Sequence, residues 1–128
     1  MPRCVHLAVA IALVAALPAA AQVKRDFPAT ALRGEVEFVQ PPDLRLNGQP
    51  ARLAPGARIR GENNMLQTPG SLAGQKRTVH YTVEATTGLL MDMWLLRADE
   101  LANKPWPTTA QQARAWQFDR AGQKWIKP

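Results

Sequence analysis

Cysteine occurs once, at Cys4, and histidine twice, at His6 and His80. Beyond the first 21 residues the chain therefore carries no thiol and a single imidazole. Such a chain cannot form a disulfide, a Cys–His pair, a multi-histidine zinc site or an iron–sulfur cluster. Carboxylates are scattered, and no two are spaced as a hydrolytic pair. The stretch Gly70-Ser71-Leu72-Ala73-Gly74-Gln75-Lys76 has the outline of a phosphate loop, but Gln75 stands where the lysine is required. Ser71 is not framed as Gly-x-Ser-x-Gly either. These absences predict a protein that is not an enzyme.

Long apolar runs are also scarce. The one run, Val5 to Leu17, follows Arg3 and is closed by Pro18 and Ala19-Ala20-Ala21. A short basic start, an apolar stretch and small residues before a cut describe a secretory signal peptide over residues 1–21. The run is shorter than the ~18–20 apolar residues of a membrane span, and Cys4 is too far from the cut to carry a lipid. Cleavage after Ala21 leaves 15 basic against 10 acidic residues, a net charge of +5. Export without disulfides favours a periplasmic address, with stability supplied by an ordinary packed core. The positive balance suits an anionic envelope polymer as partner, while nucleic acid is not expected at that address.

Residues 22–31 are polar, contain Phe27-Pro28 and read as a linker. Residues 32–97 read as the folded core. Leu32, Gly34, Val36 and Phe38 alternate with Arg33, Glu35 and Glu37, the period of a half-buried strand, with Gly34 marking a bend or bulge. Asn47-Gly48 is the favoured pair for a type I′ hairpin turn. Pro50 puts the second arm of that hairpin at an edge. Ala54-Pro55-Gly56 predicts another turn, and Ala57 to Arg60 a short strand with Arg58 and Arg60 on one face. The segment Gly61 to Lys76 reads as a long connection with one helical turn near Ser71-Leu72-Ala73.

The central feature is a hairpin of Arg77–Glu84 and Leu89–Leu96 around Ala85-Thr86-Thr87-Gly88. Uninterrupted pairing sets His80 opposite Met93 and Val79 opposite Trp94. One face then carries Val79, Tyr81, Val83, Leu90, Trp94 and Leu96, and the other His80, Thr82, Met91, Met93 and Leu95. Residues 98–128 predict a helical turn at Ala98–Asn103, a capping box starting at Thr108 with Gln111 at its third position, and a short helix from Thr109 to about Arg114. A final hairpin turns at Asp119-Arg120-Ala121-Gly122, with Gly122 left-handed. Short strands with frequent turns predict a mainly β fold, a small antiparallel barrel of the OB or SH3 kind. The short C-terminal helix and terminal hairpin pack onto it.

The run Leu32-Arg33-Gly34, Pro41-Pro42, Asn47-Gly48, Leu53 to Gly61 and Asn64, continuing to Gly88 and Trp94-Leu95-Leu96, resembles a group of small exported proteobacterial proteins of uncharacterised role. The resemblance implies an envelope address and a compact β fold, and carries no catalytic residues with it. Separately, Met91-Asp92-Met93 with His80 and Trp94 is similar to the ligand set of periplasmic copper chaperones built on OB barrels. That likeness implies a Cu(I) site of His80, Met91 and Met93, since thioether and imidazole ligands select Cu(I). The plainer alternative packs Met91, Met93 and Leu95 beneath the C-terminal segment.

Two other surfaces are candidates. Arg58, Arg60, Lys76 and Arg77 form a prospective anion-binding face, or a solvated basic one. Trp106, Trp116 and Trp125, with Phe118, place four of the eight aromatic residues in the last 23 positions. They cover an apolar barrel face, or serve as anchors for an envelope protein. The expectation is a non-catalytic binding or structural module, with Cu(I) binding and polymer binding as alternatives.

Overall fold

The computed structural model describes residues 23–128; the expected leader, its cleavage after Ala21 and Cys4 lie outside the described residues. Five strands close into a barrel. They are β1 (Leu32–Gln40), β2 (Asp43–Leu46), β3 (Gln49–Arg60), β5 (Lys76–Val83) and β6 (Leu90–Leu95). Around the barrel the order is β1-β2-β3-β6-β5 and back to β1, every pairing antiparallel except β3 with β6. This Greek-key ring with one parallel closure is the OB arrangement, and it excludes the all-antiparallel SH3 alternative.

The interior is built by alternation. Leu32, Val36 and Phe38 of β1 face inward with Leu53 and Ile59 of β3, Val79 and Tyr81 of β5, and Leu90, Met93 and Leu95 of β6. Each such side chain taken out of water contributes about 1.5–3 kcal/mol. Gly34 sits in regular register opposite Val79 rather than at a bend. Its missing Cβ lets Leu46 Cδ1 and Tyr81 Cε1 close in, each 3.0 Å from where that atom would be. Asn47 and Gly48 both take positive φ, as the type I′ turn demands. Pro50 lies before Leu53, the first β3 residue that pairs with β6, so no ladder bond on that side is lost.

Ala54-Pro55-Gly56 does not turn the chain. It is a bulge inside the single long strand β3: Leu53 and Arg58 pair with Leu90 and Asp92, so five residues on one strand advance against two on the other. Gly56, at φ +78°, absorbs the excess. The connection after β3 holds a short paired strand, β4 (Leu66–Gln67), and a 3-10 turn, Pro69–Leu72. Its Leu72 plugs one end of the barrel interior.

The central hairpin pairs differently from the uninterrupted expectation. Val83 faces Leu90 as predicted, but Tyr81 then faces Met93, His80 faces Trp94 and Val79 faces Leu95. Met91 and Asp92 together oppose Thr82, whose Oγ1 accepts from the Asp92 N–H at 3.1 Å. Because side chains alternate with period two, this one-residue slip sends Met93 into the barrel and sets Trp94 beside His80 outside it.

After β6 come α1 (Ala98–Leu101) and α2 (Ala110–Ala115), then the hairpin β7 (Gln117–Asp119) and β8 (Lys124–Ile126). The cap of α2 is Thr109, one residue later than predicted, and its side chain accepts from Gln112 N–H. In the last hairpin Gln123, not Gly122, is left-handed. Residues 23–31 are not a linker. Phe27 and Ala31 are buried with Leu96, Trp106 and Trp125 in a second apolar core on the outer face of β5 and β6, flanked by Trp94, Leu101, Trp116 and Phe118. Among the described residues no helix is long and apolar enough to cross a membrane.

Candidate functional site

His80 lies where the two cores meet. β5 projects it outward between buried Val79 and Tyr81, and its register puts Arg33 on one side and Trp94 on the other. Trp106 stacks on the imidazole at 4.1 Å and Phe27 meets it edge-on at 4.4 Å. Only 1% of the residue remains exposed. Arg33 Nε donates to His80 Nε2 at 3.2 Å. Burial first, then the charges of Arg33 and Arg25, push the imidazole down to about 2, so it is neutral. With Nε2 accepting from an always-charged guanidinium, the ring proton resides on Nδ1. That Nδ1 is buried and has no partner.

Beside the ring is a cavity of about 220 Å³. One wall is a buried ionic network. Arg25, 6% exposed, donates through Nε to Glu100 Oε2 at 2.9 Å, through Nη1 to Gly61 O at 2.9 Å and through Nη2 to Leu95 O at 2.8 Å and to Glu100 Oε1. Glu100, at the third position of α1, also accepts the Arg97 backbone N–H at 3.0 Å. Arg97 Nη2 sits 3.6 Å from the same carboxylate, and its Nε donates to Asp99 at 3.1 Å. Such full satisfaction is what makes a buried ion pair tolerable, since a lone buried charge costs several kcal/mol. The side chain of Arg25 thereby anchors the N-terminal segment to β3, β6 and α1 together.

The other wall is tied down by Gln123. Its Oε1 accepts from Phe27 N–H at 2.9 Å and its Nε2 donates to Arg120 O at 3.1 Å. Lys24 and Lys124 stand at the rim, both exposed, each with one hydrogen bond, to Ala121 O at 2.9 Å and to Asn103 Oδ1 at 3.2 Å.

The predicted copper ligands are not brought together. Met93 is inside the barrel and His80 outside it, with the sheet between them, while Met91 is half-buried at the bulge. Among the described residues no group of three or more histidine, aspartate or glutamate side chains could hold a metal ion. The basic face is split as well. Arg58 and Arg60 flank buried Ile59 and point outward. Lys76, however, pairs with Glu35 at 3.0 Å and Arg77 with Glu62 at 2.8 Å. The hydrogen bond and charge of Glu35 raise the Lys76 ammonium above its ordinary value. Of the tryptophans, Trp106 and Trp125 are buried cover for the barrel rather than free anchors, and Trp116 is half-buried under Lys127.

Arg25, Phe27, Glu100 and Gln123 were not anticipated, and three of the four lie in stretches with the composition of loops. The one usable signal was the Arg25–Phe27 pair at the head of an otherwise polar segment, a cation and an aromatic ring with nothing local to pack against. Comparison with protein-family models, curated proteins and solved structures gives no match for this chain.

Proposed function

We propose that the protein is a non-catalytic periplasmic binding module that takes a small ligand in the cavity between its two terminal segments and the outer face of the barrel. The observation that carries this reading is the cavity itself, lined by the buried Arg25–Glu100 pair, Phe27 and His80 and flanked by the exposed Lys24 and Lys124. A neutral imidazole that takes up a second proton only near pH 2 is ill-suited to shuttling protons. The leader-like composition of residues 1–21 supports the periplasmic address. Copper is not carried forward, because two of its three expected ligands, His80 and Met93, lie on opposite faces of the sheet.

Trp106 reports on the cavity because it stacks on His80. Titrating purified protein with small anionic, neutral and cationic compounds should produce, for one class, a saturable change in tryptophan emission with a rise in melting temperature. Binding to the native state alone stabilises it by mass action. Emission and melting temperature unmoved by every class would defeat the binding-module reading.

A further inference from the structure

We infer that the groove beneath α2, at the end of the barrel where β1 begins, holds the alkyl chain of a medium-chain fatty acid whose carboxylate is bound by Arg114. The groove shares no lining residue with the cavity beside His80, so it is a second site, independent of the one described there.

The two ends of the barrel are closed differently. Where β1 finishes, Leu72 fills the interior, and the Gly74 N–H donates to Phe38 O at 2.7 Å to hold its turn in place. At the other end β1 begins and β5 finishes. Leu32 with Tyr81 is the last pair of that ladder, so Val83 runs two residues beyond it with no β1 partner. By period two Val83 shares the face of buried Tyr81, yet it stays 44% exposed. The segment over this end is α2, whose Ala110 and Ala113 border it with single methyl groups. They leave a groove of about 500 Å³, walled besides by Ala29, Leu32 and Val83. That volume is the size of a small-molecule site. Its apolar walls contain no aromatic ring for a planar ligand to stack on, which suits a flexible alkyl chain held by contact area.

Charge selects the head group. Arg114, exposed in the last turn of α2, lines the same groove and makes no hydrogen bond or ion pair among the described residues. No carboxylate lines the groove. Glu84, next to Val83 in the chain, lies outside the lining and accepts the Thr86 hydroxyl at 3.1 Å. A guanidinium presents its donors in a planar fork that matches a carboxylate. One cation at the rim of an apolar groove thus fits one acid at the end of an alkyl chain.

Methyl resonances of Leu32, Val83, Ala110 and Ala113 in the full protein are followed while hexanoate, octanoate, decanoate and 1-octanol are added below their micelle-forming concentrations. The expected result is saturable shifts at those residues with the acids, binding tightening about fourfold per added methylene. Octanol should bind about tenfold more weakly than octanoate, since it lacks the charge-assisted bond. Arg114→Gln, altered at an exposed position, should bring octanoate down to the level of octanol and leave octanol unchanged. A merely structural role for Arg114 would weaken both. Ala110→Leu, also at an exposed position, should fill the groove and abolish the octanoate shift at Val83. Octanol binding as tightly as octanoate, or octanoate binding undiminished in Arg114→Gln, overturns the acid. Equal binding of hexanoate and decanoate overturns the alkyl chain. Saturable shifts confined to residues around His80 would assign the acid to that cavity and remove this site. Leu32 and Val83 unmoved by every probe would remove it as well, while the reading of the His80 cavity would stand on its own titration.

Discussion

At His80 a single ring nitrogen links stability to pH. Unfolded, the imidazole takes up its proton near 6.5; folded, burial against Phe27 and Trp106 and the charges of Arg33 and Arg25 lower that to about 2. Between these values the unfolded chain binds a proton that the native protein does not. The contribution of neutral His80 is therefore intact above pH 6.5 and is lost progressively as pH falls toward 2. Unfolding free energy should drop by about 1.4 kcal/mol between pH 7.5 and 5.5. Carboxylates titrate lower still, and His80 is the only histidine among the described residues, so the loss in that window belongs to one group. Urea denaturation across those pH values checks it. His80→Gln should flatten the profile, and a flat wild-type profile would show that the imidazole is not buried neutral. The chemical singularity of His80 was legible in the sequence. Its partner Arg33 was visible as an outward residue of β1, but the Arg25–Glu100 pair beyond it joins residues 75 apart, which no local pattern encodes.

At the scale of the element, the hairpin of β5 and β6 decides which chemistry the protein can have. Strict alternation from Leu90 would turn Asp92 inward beside Leu90, an unpaired carboxylate in the barrel core. Bulging at Met91–Asp92 releases that carboxylate to the outside and brings Met93 in to replace it. The clue was thus present in the sequence, as a charged residue where the pattern demanded an apolar one. The Asn47-Gly48 turn was legible for the opposite reason, since a two-residue loop has few solutions and its chemistry is local. Pro55-Gly56 misled because the same residues that turn a chain also bulge a strand curled around a barrel. Thr82 holds the slipped register through both its bonds to Asp92, to the N–H at 3.1 Å and to Oδ2 at 3.4 Å. Thr82→Val keeps the branched shape and removes both bonds, so stability should fall by about 1–2 kcal/mol. Amide exchange at Asp92 should quicken selectively. Unchanged exchange there would mean that the bulge is held by packing alone.

At the scale of the molecule, the barrel is only half of the structure. Its interior closes on itself, but the outer faces of β5 and β6 present His80, Trp94 and, just beyond the strand, Leu96, which a bare barrel would leave to water. Residues 23–31 and the C-terminal segment cover them from two directions and meet over the imidazole. The C-terminal cover was predictable from its tryptophans. The N-terminal share was not, because its burial depends on Arg25 and Phe27 finding partners from the far end of the chain. Trp106 is the keystone of this assembly: it stacks on His80, meets Phe27, Phe118 and Trp125 edge-on, and donates its indole N–H to Ala31 O at 2.9 Å. Trp106→Ala should cost about 3–5 kcal/mol, a large share of the roughly 5–15 kcal/mol that holds a domain of this size. Because that one residue binds both termini to the barrel, the wild-type protein should unfold in a single step, tryptophan emission and far-ultraviolet dichroism changing together. In Trp106→Ala the two signals should separate, the remaining tryptophans becoming exposed at lower denaturant than that which opens the barrel. Separate transitions already in the wild type would mean that the covering segments are a loosely held lid. The cavity they enclose would then be open to solvent, and His80 Nδ1 would find its partner in water.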